Sequence, residues 1–355
     1  MRLATRSSKG LIQKTFFLSL ALTGCTTAQY RNFPDLLAHH PATQLKNWQD
    51  FLDHRPNRGQ LPPDFVQPAT SLPLSYAIDT NRLDGFPAPV PAQISPERLR
   101  SIRQSLQATL QYQPEIRQFL NRRVMGLYLV DNLGSSGLTG IVYDSDGKAQ
   151  GGFILMDASR IELTAEGLIN LREKTIIEDA AALPESWGYR LDHPSNGPVP
   201  TAVDYLLLHE AAHVASEVYE LLPPLTMDKA SYRPPARGTY SFLDAAWLDP
   251  WNTKAALPFR KKLHFYAKRT FSAIEHGQAT VAAQASGFPG LYATVDAWEH
   301  LAETVAYSML LPHRLVFRDA NGIDHRPVAQ AWELQYVARL KAQMASDPGP
   351  RYQAK

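Results

Sequence analysis

Two histidines one helical turn apart mark the stretch of this chain best suited to chemistry. Residues 207–214 read Leu207-Leu208-His209-Glu210-Ala211-Ala212-His213-Val214. On a helix, His209 and His213 stand at i and i+4, so both imidazoles project from one face. That geometry suits two nitrogens meeting one tetrahedral Zn²⁺. Glu210 is turned from His209 by about 100° around the helix. It can border the metal's open position without binding the metal. There it can take a proton from a water that the metal has acidified. This is the H-E-x-x-H arrangement.

The helix that must carry these residues is predicted over 201–221, with Thr201 and Asp204 as a capping pair at its start. Three leucines precede His209, and small apolar residues surround His213. Such a helix is buried, and buried imidazoles are costly unless something satisfies them. A shared cation explains the pair better than two ordinary core histidines do. Zinc needs a third protein ligand. Among the acids beyond Glu220, only Glu299 and Glu303 form an i, i+4 pair on a well-marked helix. Glu303 has the small, apolar neighbours of a core-facing carboxylate. Two carboxylates this close repel unless a cation or a proton lies between them.

Amide hydrolysis also needs a donor for the charge that develops on the carbonyl oxygen. Candidates are Tyr232 and Tyr240, near a loop flanked by Arg233 and Arg237, together with His276. Tyr307, one turn after Glu303, could hydrogen-bond a ligand.

His209-Glu210-Ala211-Ala212-His213, followed by Phe288-Pro289-Gly290-Leu291-Tyr292-Ala293 and Trp298-Glu299-His300-Leu301-Ala302-Glu303, resembles a gluzincin metallopeptidase. The likeness is to an uncharacterised bacterial branch and covers about residues 200–310. It implies a zincin-like fold, zinc as cofactor, a peptide or protein substrate and Glu210 as general base. It also implies Glu303 as the third ligand, with Glu299 orienting the helix or the site. His300 stands where the pattern has Asp, and Tyr307 where thermolysin-like enzymes place an Asp. Ser216 and Tyr219 occupy the positions where a metzincin would have Gly and His, so that class is excluded. Two other readings remain. One is a non-catalytic envelope lipoprotein stapled by zinc, which would need a fourth ligand such as His276 or His300. The other is an amidase-type metallohydrolase acting on cell-wall peptides.

Arg2, Arg6, Lys9 and Lys14 lead into the short apolar run 15–22, and then come Leu22-Thr23-Gly24-Cys25. A basic head, an apolar run too short to span a bilayer and small residues before a cut describe an export signal. The end of this stretch resembles a bacterial lipobox. That implies lipidation at Cys25 and a membrane anchor. Thr26, rather than Asp, implies the outer membrane, with the chain facing the periplasm. Cys25 is the only cysteine, so the exported fold stands on its core without a disulfide. The whole chain carries a formal +2, and without residues 1–24 it carries −2. Net charge therefore gives no support to a nucleic-acid partner. With 44% hydrophobic and 20% charged residues, wholesale disorder is excluded.

The expected organisation is a leader (1–24), a tether and proline-rich arm (25–95), a zincin-like domain (96–345) and a tail (346–355). Eleven of the 27 prolines lie between Pro34 and Pro96, which argues for an irregular arm with one short helix near Leu45–Leu52. Ser95-Pro96-Glu97 opens a helix that runs to about Arg122. Three β-rich runs follow, Met125–Val130, Leu138–Tyr143 and Gly152–Met156, with a hairpin turn at Ser145-Asp146-Gly147. Residues 201–221, 258–284, 294–311 and 326–344 read as helices. The fold class is α+β, a small antiparallel sheet on the active-site helix followed by a mainly helical half. The third β-run is the candidate edge beside which an extended substrate could pair.

Overall fold

The computed structural model describes residues 30–49, 52, 61–192, 199–310, 314–326 and 330–350. The expected leader, Cys25 and residues 351–355 of the expected tail lie outside the described residues. The architecture is α+β, as expected.

Near-continuous buried runs build the main sheet. Its long strands are β3 (Val124–Asp131), β4 (Gly137–Tyr143) and β5 (Ala149–Asp157), preceded by the short β1 (Val66–Pro68) and β2 (Val90–Pro91). The predicted turn joins β4 to β5. Asp144 accepts from the Asp146 and Lys148 amides at 3.0 and 2.9 Å, and Gly147 takes φ +75°. This tight turn makes β4 and β5 antiparallel, but β5 inserts beside β3 and runs parallel to it. β1 extends the sheet in parallel on the other side of β3. The sheet is therefore mixed rather than antiparallel, and the third run is interior. β5 is buried along its whole length, as a strand covered on both faces should be. The strand at the edge next to β5 is β4.

The two sheet faces feed separate cores, following the two-residue period of a strand. Leu127, Leu129, Ile141, Ile154 and Met156 join the large core. Tyr128, Val130, Val142, Phe153 and Leu155 join a second core on the opposite face. That second core is completed from the proline-rich stretch, by Leu36 and Leu37 of α1 (Phe33–His39), Trp48, and Tyr76 and Ala77 of α2 (Ser71–Asp84). The stretch is thus more regular than its prolines suggest. Pro34 and Pro73 fall in first helical turns, where a missing amide proton breaks no bond. The short helix expected near Leu45 begins as a 3₁₀ turn, Leu45–Trp48.

Ser95 caps α3 (Pro96–Leu110), and Pro114 opens α4 (Pro114–Arg123), so the single helix expected here is broken in two. α5 (Ala165–Lys174) and β6 (Gly188–Asp192) precede α6 (Ala202–Val218), whose capping box of Thr201 and Asp204 is formed as predicted. Then come α7 (Ser241–Ala246), β7 (Trp247–Asp249), β8 (Asn252–Thr253), α8 (Ala273–Ala285) and α9 (Ala297–Leu310). The helix expected over 258–284 is reduced to a 3₁₀ turn at Pro258–Lys262 and α8. β9 (Arg314–Arg318), β10 (Asp324–His325) and α10 (Ala331–Ser346) close the fold. β6, β9 and β10 form a small second sheet. α6 is buried along its entire length, between strands β4 and β5, α5 and α9. Among the described residues, no helix is long and apolar enough to cross a membrane.

Candidate metal centre

The apolar surroundings of α6 bury its polar residues: His209 is 4% exposed, Glu210 6% and His213 9%. The two rings meet edge to face with centroids 5.1 Å apart. Across from them, α9 begins under Asp296, which accepts from the Glu299 amide at 2.9 Å. In the first turn of α9, Glu299 reaches both rings. Its Oε2 lies 3.1 Å from His209 Nε2, and its Oε1 lies 3.9 Å from His213 Nε2. Among the described residues, His209, His213 and Glu299 form the group whose donor atoms all fall within 4.8 Å of one another.

Glu303 is elsewhere in this arrangement. Its carboxylate is fully buried and takes two hydrogen bonds from the Arg172 guanidinium of α5, each 2.9 Å. It also accepts from the Tyr205 hydroxyl and lies 3.0 Å from His209 Nδ1, the ring nitrogen turned away from Glu299. Glu303, the third ligand that the resemblance implies, is not in the group that faces both rings; Glu299 lies there, and Glu303 backs His209 from behind. The two acids are one turn apart on α9, but only Glu303 points at the buried arginine. Arg172 carries the full charge that Glu303 needs in a dry setting.

The donor set fits zinc on two counts. Zinc bonds of about 2.0–2.1 Å place tetrahedral ligand atoms about 3.3 Å apart, and the observed 3.1 and 3.9 Å bracket that spacing. Moreover, Glu299 Oε2 is buried without an aligned hydrogen bond, although a ring nitrogen is 3.1 Å away. An oxygen so placed suits a common cation better than an N–H donor.

The electrostatics follow from burial and neighbours. Burial opposes charge on His209, but Glu299 and Glu303 outweigh it and raise the ring to about 10. His213 has less help, and burial lowers it to about 4. Burial also opposes charge on Glu303, yet Arg172 and His209 hold it well below the usual carboxylate range. Burial pushes Glu210 up to about 7 against the pull of His209 and Thr139.

The residues proposed to stabilise a developing oxyanion lie away from this group. His276 is fully buried with Nε2 2.9 Å from Glu173 Oε2. Tyr240 precedes α7 and is influenced by Glu217 and Glu220. Tyr232 packs its ring against Trp251. The Tyr307 hydroxyl is buried without a partner on the Glu303 side. Two other tyrosines stand closer. The Tyr292 phenol is influenced by both Glu299 and Glu210, its ring lies 6.1 Å from that of His209, and Arg172 covers its face at 4.0 Å. Tyr266 is influenced by Glu299 and holds its hydroxyl 3.2 Å from Ser136 Oγ. Its φ of +62° is rare for a bulky side chain. His300 accepts from Trp247 Nε1 at 3.0 Å, and His276 is committed to Glu173, so neither supplies a fourth ligand.

The edge strand closes over α6 from the sheet side. Thr139 Oγ1 lies 2.6 Å from Glu210 Oε2. The free edge of β4 is partly taken. Asp157 donates to the Ser136 carbonyl, so by the alternation of antiparallel pairs Gly137 and Thr139 turn their backbone groups away from β5. The Gly137 carbonyl accepts from Ser135 Oγ at 2.8 Å, and the Thr139 carbonyl from the Tyr76 hydroxyl at 3.4 Å.

Arg172, Tyr205, Thr139, Tyr266 and Tyr292 were not singled out as site residues in the sequence. Arg172 did leave a signal. It follows Leu168 and Ile169 on the buried stripe of α5, where a charge requires a partner. Compared with known protein families, curated proteins and solved structures, the chain matches none.

Proposed function

We propose that this chain is a zinc-dependent metallopeptidase with a zincin-like arrangement of edge strand, H-E-x-x-H helix and carboxylate-bearing helix. The observation that carries the reading is the convergence of His209 Nε2, His213 Nε2 and the Glu299 carboxylate, with Glu210 beside them. These three residues hold the metal. When bound, zinc supplies Lewis-acid chemistry, acidifying a water and polarising the scissile carbonyl.

The remaining steps belong to the chain. Glu210 accepts the proton of the attacking water and passes it to the leaving amine. Burial favours this double duty, because a carboxyl raised to about 7 both takes and gives a proton near neutrality. The Tyr292 phenol donates to the carbonyl oxygen as charge develops there. Glu303, pinned by Arg172, fixes the ring orientation of His209. The lack of a fourth protein ligand in the described group favours catalysis over a structural staple. Export, lipidation of Cys25 and residence at the outer membrane complete the proposal, resting on residues 1–26.

The test is hydrolysis of a peptide library by the chain lacking residues 1–25, with and without a chelator. Chelator-sensitive cleavage is expected, and Glu210→Gln should keep its zinc while losing about 10²–10⁴-fold in rate. Cleavage that survives both treatments would overturn the reading.

A further inference from the structure

We infer that Thr139 on the edge strand is the positioning residue of Glu210, and that Gly137 is kept free of a side chain so that the carboxylate can occupy its place. The inference rests on the reading of Glu210 as the base.

Side chains at 137, 139 and 141 of β4 face α6, since Ile141 joins the large core and its neighbour Val142 the other. Thr139 therefore looks straight at Glu210. Its Oγ1 lies 2.6 Å from Glu210 Oε2 and 3.1 Å from the Glu210 carbonyl oxygen. Two residues earlier, a Cβ on Gly137 would stand 2.4 Å from Glu210 Oε1 and 3.1 Å from its carboxyl carbon. No side chain fits there without displacing the carboxylate. The strand thus treats the two oxygens differently. Oε2 is held by a hydroxyl, and Oε1 rests in the space over Gly137 and takes no hydrogen bond among the described residues. Oε1 is the oxygen left to work.

Thr139 is itself well fixed. It is 7% exposed, its carbonyl accepts from Tyr76, and a β-branched residue in a strand has restricted χ1. A hydroxyl is also suited to a partner that gains and loses a proton during turnover. It donates to Oε2 while that oxygen is charged. When the proton sits on Oε1, Oε2 remains a carbonyl oxygen and still accepts from the same hydroxyl, so the carboxyl group keeps its place.

The test compares zinc-loaded wild type, Thr139→Val, Thr139→Ser and Gly137→Ala by crystal structure, zinc content and steady-state kinetics. Valine keeps the shape of threonine and loses only the hydroxyl. Thr139→Val is expected to release the Glu210 carboxylate from its place and to lower kcat about 10–100-fold, with KM and zinc content little changed. Thr139→Ser should restore both the position and most of the rate. Gly137→Ala should displace the same carboxylate with zinc retained. The inference is overturned if Glu210 keeps its place in Thr139→Val, or if serine fails to restore what valine lost. If the wild type cleaves no peptide, the peptidase reading falls, and the position of Glu210 in the valine and serine variants still decides the role of Thr139.

Discussion

Arg172 clasps Glu303 through two parallel hydrogen bonds of 2.9 Å, with both side chains almost wholly buried and 131 residues apart in the chain. Bidentate pairing of this kind gives direction as well as attraction. It commits Glu303 to the inside of the molecule and leaves Glu299, one turn earlier on the same helix, to face both histidines.

Removing one partner of a buried ion pair leaves an uncompensated charge. Arg172→Met is expected to cost about 3–5 kcal/mol of stability, measured by urea unfolding with chelator present so that metal binding does not contribute. The double variant Arg172→Met/Glu303→Met should recover much of that loss. A single variant as stable as the wild type would show that the pair does not hold Glu303 in place.

Glu217, two turns beyond His209 on α6, gives a pH dependence of known sign. Burial raises its carboxyl from 4.5 to about 7, although the Leu225 amide and the Tyr143 hydroxyl both donate to it. The folded state therefore binds a proton more tightly than the unfolded chain. This contribution is fully present below about pH 4.5 and is lost as pH rises through about 7. Glu217→Gln keeps an acceptor and cannot ionise. Relative to wild type it should gain on the order of 3 kcal/mol between pH 4.5 and pH 8, read from unfolding curves at the two values. A difference that does not change with pH would contradict this.

The helix of the two histidines could be read from the sequence almost to the residue, because its cap, its apolar density and its spacing are all local. The β4–β5 turn was legible for the same reason. The order of the strands was not. Nothing near Gly152 says that β5 lies beside β3, since that parallel pairing joins strands separated in the chain by β4, which in space lies on the other side of β5. Which acid faces both rings was not legible for a related reason. Glu299 and Glu303 share a helix face and apolar neighbours, and what separates them is a guanidinium on a distant helix. The prolines between residues 34 and 96 suggested irregularity, yet position within a helix decides their effect, and Pro34 and Pro73 sit where helices begin.

That stretch is expected to be indispensable to the fold. It supplies half of the second core, and without it Tyr128, Phe153 and Leu155 would face water together. A chain beginning at Ser95 should aggregate or lose its cooperative unfolding transition, while one beginning at Thr26 should be soluble and unfold cooperatively. A soluble, cooperatively folded Ser95 chain would show that the second core is dispensable.

The most direct measurement is zinc per chain, by mass spectrometry of metal-exchanged protein, in wild type, Glu299→Ala and Glu303→Gln. About one zinc is expected in the wild type, almost none in Glu299→Ala, and a full complement bound about 10–100-fold more weakly in Glu303→Gln. A wild type that takes up no zinc, or a Glu299→Ala chain that keeps it while Glu303→Gln loses it, would contradict the account.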